Sequence, residues 1–242
     1  MKNNIFIWGS KSYALIINEF IKNYKNEINI IHSNIIRREQ LKIKYFFDPY
    51  AKNIHFNHGA IFFSKLSQLL KNLKNCNSFI VCVGNNHGKT RLLIGQLLQK
   101  KGLKPLTLVS KNSIISKNSS IGKGVIIMPN SYVGTFSKIG DYCILNSSCN
   151  IEHETSIGTG THVMSGACIS GRNKIGNFVT IGANATILPD IKIADGAYIG
   201  AGSVVTRNVK QNEIIVGNPG KYLKKNKHIM DSNFIAKLKK IL

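Results

Sequence analysis

The sequence predicts an α/β domain followed by a β-solenoid, and two observations predict it. From Val109 every sixth residue is aliphatic without a miss, through Ile115, Ile121, Ile127, Val133 and onward to Ile193, Ile199 and Val205, and the series stops at Gln211. A helix period of 3.6 or a strand period of 2 gives no six-residue beat, so the beat belongs to a supersecondary unit that stacks. Before that series, short apolar runs alternate with helical patterns, the signature of a parallel sheet with helices on its faces. These readings divide the chain into residues 1–105, the solenoid 106–219 and a basic tail, 220–242.

In the first domain, Ile5 to Trp8 read as a buried strand, Gly9-Ser-Lys-Ser12 as a turn, and residues 13–24 as a helix with Ala14, Ile17, Ile21 and Tyr24 on one face. Residues 28–31 form the second strand of the sheet. Ile61 to Phe63 are a third, feeding a helix capped by Ser64; residues 79–83 are a fourth; residues 90–101 are a helix ended by Gly102. The arrangement is Rossmann-like. Two loops imitate phosphate-binding motifs and fail as such. Gly9-Ser-Lys-Ser12 has one glycine where a dinucleotide fingerprint needs three, and three residues rather than four separate the glycines of Gly84-Asn-Asn-His-Gly-Lys-Thr90. Their position survives the failure, because turns at the carboxyl end of a parallel sheet lead into helix N-termini that favour anions. A site for a phosphorylated ligand and plain connections both fit.

In the second domain a glycine often follows the aliphatic residue, as at Gly122, Gly140, Gly158 and Gly176, and a small or β-branched residue comes four places on, as at Val125, Thr161, Ala185 and Ser203. The Ile-Gly pairs at 121, 139, 157 and 175 are eighteen residues apart. Three hexapeptides therefore close one triangular coil, residues n and n+18 are neighbours, and stacking makes a continuous core that no single coil could form. After Pro219 the tail is basic, with Phe234, Leu238 and Leu242 at helical spacing, which fits a terminal helix or a cap on the open end of the solenoid.

Composition narrows the classes. No apolar run approaches the ~18–20 residues that span a bilayer, and Gly9, Ser10 and Lys11 cut the first apolar run too short for a signal-peptide core, so the expectation is a cytoplasmic protein. The five cysteines show no C-x-x-C spacing, and Cys143 and Cys149 fall in the small-residue phase, where a thiol is a compact hydrophobe. His55 and His58 lack a third ligand in view, and no metal is expected. The 33 Lys and Arg against 11 Asp and Glu give a formal charge of +22, spread along the whole chain rather than gathered with aromatics in one stripe. That distribution argues against nucleic acid and for attraction of small polyanions.

Most polar residues in the repeats are small, so Asn146, Glu152, His153, Glu154 and His162 stand out. The phase puts His153 two places after Ile151, toward a corner, and His162 one before Val163, on an outward face, so neither belongs to the core. Glu154 is placed to orient the His153 imidazole and raise its basicity, as a general base requires. Gly171 falls eighteen residues on, in the same corner one layer away, where it leaves a backbone N–H open to a carbonyl oxygen.

Asn146-x6-His153-Glu154, the hexapeptide array, the terminal Val216-Gly-Asn-Pro219 and the preceding small α/β domain together resemble the family of sialic-acid O-acetyltransferases and bacillosamine-type sugar N-acetyltransferases. The resemblance covers nearly the whole chain. It implies a left-handed parallel β-helix, a homotrimer, and acetyl-CoA, the acyl donor, lying between neighbouring helices. It implies that His153 is the base and Glu154 its partner, that His162 meets the thioester end of acetyl-CoA, that the Gly171 N–H binds the thioester oxygen, and that Ala183 and Ala201 flank the pantetheine arm. Gly9, Ser10, Lys11, His32, Ser33 and Gly84 correspond to the pocket for the nucleotide part of the sugar, with Asn146 on the substrate side. His32-Ser33-Asn34 stands where members acting on UDP-sugars often carry acidic residues. The activity implied is transfer of acetyl to the amine of a nucleotide-linked amino-deoxy sugar for surface glycans. O-acetylation of a sialic-acid-type hydroxyl uses the same base, and a non-catalytic basic solenoid is the reading from another class.

Overall fold

The computed structural model describes residues 3–9, 11–23, 28–32, 35–37, 41–52, 59–227 and 232–241. Strands β1 (Asn3–Trp8), β4 (Leu41–Phe47), β5 (Ile61–Phe63), β6 (Ser78–Val81) and β7 (Lys104–Pro105) form a sheet in the order β5-β4-β1-β6-β7, every pair parallel. Ile5, Phe6 and Ile7 in the central β1 are fully buried because both faces of the sheet are covered. Ile5 and Ile7 pack with Ala14, Ile17 and Ile21 of helix α1 (Ser12–Asn23). Phe6 and Trp8 pack with Leu69 of α2 (Leu69–Leu73), Ile94 of α3 (Gly88–Lys100) and Leu238 of the final helix α4 (Ser232–Ile241).

Two expectations for this domain change, and one strand is new. The segment read as the second strand is β2 (Ile28–His32), but it pairs antiparallel with β3 (Ile35–Arg37) and with β8 (Leu108–Ser110), the first strand of the solenoid. Its place beside β1 is taken by β4, whose sequence LKIKYFF interrupts its apolar residues with lysines and so hides a strand half of which is deeply buried. The turn after β5 opens as a 3₁₀ turn at Leu66–Gln68 with Lys65 at its N-cap and no side-chain cap, so Ser64 caps nothing.

The second domain is a left-handed parallel β-helix. Two-residue strands stack in register at intervals of eighteen residues, with Ile126-Ile127 on Ile144-Leu145, then His162-Val163, then Thr180-Ile181. Three walls result. The first continues from β8 through those strands to Tyr198–Ile199, Glu213–Val216 and Lys221–Lys225; the second runs from Ile114–Ile115 to Val204–Val205; the third runs from Ser120–Ile121 to Lys192–Ile193. The sixth-residue aliphatics fill the interior together with Cys143 and Cys149, both fully buried, and burial pushes the two thiols up to about 12 and about 11. The strand Lys221–Lys225 folds back antiparallel on Glu213–Val216, so the solenoid's hairpin end runs past Pro219 into the tail.

The two domains share one core. On the first wall the outward residues Leu108, Ile126 and Ile144 are buried and pack with Ile5, Ile7 and Ile17. Helix α3 meets the vertex between the third and first walls with one face, Gly88, Arg91, Gly95 and Gln99. A Cβ on Gly95 would stand 2.4 Å from the Tyr142 ring, so only glycine lets the helix come this close. Arg91, 1% exposed, donates from Nε to the Tyr142 carbonyl at 2.7 Å, from Nη1 to Val83 at 2.5 Å and from Nη2 to Gly160 at 2.7 Å. Burial lowers its pKa to about 10, which leaves it charged at neutral pH. It is the strut between the domains.

Candidate active site

Two groups of candidate residues emerge, on opposite sides of the coil. One lies on the vertex between the second and third walls, where each coil turns through a residue in the left-handed region; Phe136, Glu154, Arg172 and Asp190 hold that place with φ of 58°, 57°, 59° and 63°. His153 precedes Glu154 there, half exposed, and its Nδ1 lies 3.1 Å from Glu154 Oε2. A carboxylate only accepts, so Nδ1 donates to it, and in the neutral ring the lone pair is then on Nε2, the arrangement a proton acceptor needs. Among the described residues Nε2 has no hydrogen-bond partner. The ring lies over Gly171, where a Cβ would stand 2.5 Å from Nε2. The Gly171 N–H, too, donates to no described residue. One layer further, Arg172 grips Asp190 with Nε to Oδ1 at 2.8 Å and Nη2 to Oδ2 at 2.7 Å.

The other group lies on the first wall. His162 does occupy an outward position, as its phase requires, yet it is 2% exposed because the first domain covers that wall. Its Nε2 is 3.0 Å from Asn146 Nδ2, so the amide donates and the ring proton sits on Nδ1, which is buried and has no hydrogen-bond partner among the described residues. Burial, with the nearby Arg91 charge, lowers its pKa to about 3, and the ring is neutral at any physiological pH. Above it a cavity of about 680 Å³ opens between the domains. Gly9, Lys11, Gly84, Asn146 and His162 line it together with Trp8, Asp48, Tyr50, His87, Thr90 and Phe234. The cavity has the size of a small-molecule site. Two helix N-termini face it, since Lys11 and Ser12 open α1 while His87 and Thr90 sit at the start of α3, and neither helix has an acidic residue in its first turn. That end favours anions.

Asn146 also begins the vertex between the first and second walls, along which Ala183 and Ala201 stack two and three layers on, with the Gly202 N–H bonded to the Ala183 carbonyl at 2.8 Å. His32 ends β2; Ser10, Ser33, His55 and His58 lie outside the described residues. Sequence reasoning missed the aromatic side of the cavity, Trp8, Tyr50 and Phe234, which come from three distant segments. No helix among the described residues is long and apolar enough to cross a membrane, and no group of three or more potential metal ligands occurs among them.

Fold and site thus define a hexapeptide-repeat β-helix joined to an α/β domain, with a cavity between them. Residues 118–153 and 174–207 match the bacterial transferase hexapeptide (six repeats) family model. The whole architecture is shared with perosamine N-acetyltransferase from Caulobacter crescentus, solved with CoA and GDP-perosamine, at TM-score 0.78 and 18% identity over 92% of this chain and 98% of that one. It is shared equally with the acetyltransferase domain of PglB from Neisseria gonorrhoeae, solved with acetyl coenzyme A (TM-score 0.77, 20% identity, 92% and 100% covered). WeeI from Acinetobacter baumannii is similar as well (TM-score 0.74, 22% identity, 92% and 100% covered). At these identities the likeness is one of fold.

Proposed function

We propose that the protein transfers the acetyl group of acetyl-CoA to the amino group of a nucleotide-linked amino-deoxy sugar used for surface glycans. The observation that carries this reading is the His153–Glu154 pair, with Nδ1 held at 3.1 Å by the carboxylate and Nε2 open over Gly171. The sugar amine attacks the thioester carbon and Nε2 takes the proton that the amine loses. The Gly171 N–H donates to the oxygen that gains charge, and the C–S bond breaks to release CoA. The cavity supplies the complementary half, with an anion-favouring end for the phosphates and a neutral His162 beside Asn146 on the solenoid side. The similar Caulobacter structure, holding CoA and GDP-perosamine, supports both substrates.

His153 sits on the vertex between the second and third walls, and the cavity opens on the first wall, so the two cannot meet within one chain. A centre that uses both is built from two copies, which supports the homotrimer, with acetyl-CoA running along the Ala183–Ala201 vertex between neighbouring solenoids. Incubation with acetyl-CoA and a panel of nucleotide-linked amino sugars and sialic acids, with mass spectrometry locating the added acetyl, tests the reaction; acetyl on oxygen alone, or on nothing, overturns it. A general base contributes ~10²–10⁴-fold in rate. Replacing His153 by Ala lowers turnover by that factor with acetyl-CoA affinity nearly unchanged, and near-normal turnover would sink the assignment. Light scattering in solution should give the mass of three chains.

A further inference from the structure

The tail that follows the solenoid does not trail into solvent. Asn226, 8% exposed, exchanges a reciprocal amide pair with Asn86, at 2.8 Å and 3.1 Å, and donates to the Gly196 carbonyl at 2.8 Å. Asn86 belongs to the loop between β6 and α3, whose Gly84, Asn85 and His87 line the cavity, so the tail is pinned beside the ligand site before α4 begins. Helix α4 then lies on the first domain with Ile235 and Leu238 buried. Its Phe234 ring meets Tyr50 at 5.4 Å between centroids and the Trp8 ring edge-on at 6.3 Å, and Phe234 and Ile235 form part of the cavity wall. This end is aromatic and also holds the Asp48 carboxylate, which accepts from the Tyr50 N–H at 3.0 Å, whereas the demands of phosphate are met by Lys11 and the starts of α1 and α3.

We propose that α4 is a built-in wall of the acceptor site, and that Phe234 with Tyr50 receives the base ring of a nucleoside diphosphate whose phosphates lie toward Lys11. The proposal rests on the nucleotide-sugar reading above and adds to it that ligand affinity depends on the chain's last helix. Planar bases stack on aromatic rings with little dependence on base identity, at ~1–3 kcal/mol per base on alanine substitution. A ~10-fold loss of affinity from one ring follows.

The chain contains one tryptophan, Trp8, which touches Phe234, so its fluorescence reports on the site directly. Titration of the full chain with UDP, GDP and dTDP should give a saturable change with at least one of them. Phe234→Ala, which keeps Ile235 and Leu238 to dock the helix, should weaken that nucleotide about 10-fold; a chain ending at Lys227 should weaken it further. Both should keep the thermal stabilisation that CoA confers. Hydrogen exchange in α4 should slow when the nucleotide is added to the full chain. Equal nucleotide affinity in all three proteins, α4 exchange indifferent to nucleotide, or no saturable change with any nucleotide would overturn the proposal. The acetyl-transfer reading fails separately, by absence of product with a protein that still binds nucleotide through α4.

Discussion

Acidification provides a measurement of how the domain junction is built. His162 is neutral and buried in the folded chain with its pKa lowered from 6.5 to about 3. Between those values the unfolded chain binds a proton at this residue and the folded chain does not. Stability therefore rises with pH across the window, is fully free of this cost above about 6.5, and is lost as the pH falls toward 3. The slope for one proton is about 1.4 kcal/mol per pH unit, so moving from pH 7 to pH 4.5, two units below the unfolded pKa, removes about 3 kcal/mol through this residue alone. The His162→Asn variant lacks the proton. It should start less stable at pH 7, since the contact with Asn146 is altered, but lose about 3 kcal/mol less than the parent between pH 7 and pH 4.5. Urea unfolding followed by Trp8 fluorescence at both pH values reads the difference, because carboxylates and other histidines contribute equally to both proteins. An identical pH dependence in parent and variant would refute the burial of a neutral His162.

Other outcomes follow from the same geometry. Arg91→Leu strips three carbonyls, the part-buried one of Val83 and the buried ones of Tyr142 and Gly160, of their donor and should destabilise the junction by about 3–5 kcal/mol in chemical unfolding. Gly171→Ala places a methyl 2.5 Å from His153 Nε2. The ring must move off residue 171, and a displacement of about 1 Å at a reacting group costs ~10²-fold in turnover, while the unfolding midpoint should stay unchanged. Ile151→Ala empties a fully buried site in the stacked core and should cost about 2–5 kcal/mol by the same unfolding assay.

The six-residue beat determined the solenoid, its three walls and the neighbourhood of His153 and Gly171, because stacking repeats convert a sequence interval into a spatial one. The interval of eighteen is observed in the pairing of the coils from Leu108 to Val205, as in Asn150 on Cys168 and Ser156 on Lys174, and shortens to sixteen only where the solenoid ends, at Tyr198 on Ile214. A signal for the covered wall was also present in the sequence. The residue before each core aliphatic is Ser120, Lys138, Ser156, Lys174 and Lys192 on the third wall but Leu108, Ile126 and Ile144 on the first, and apolar residues facing outward there mean that something packs on them. His162, next in that column, was legible as outward but not as buried.

What only the tertiary structure decided has one physical reason, that contacts between segments far apart in sequence have no period to betray them. The departure of β2 to the solenoid edge, the insertion of β4 beside β1, the Arg91 strut and the aromatic end made by Trp8, Tyr50 and Phe234 are all of this kind. The sequence by itself determined that His153 and Glu154 stand together on a vertex. Only the folded chain showed that the cavity lies across the coil from them and that the last helix lines part of it.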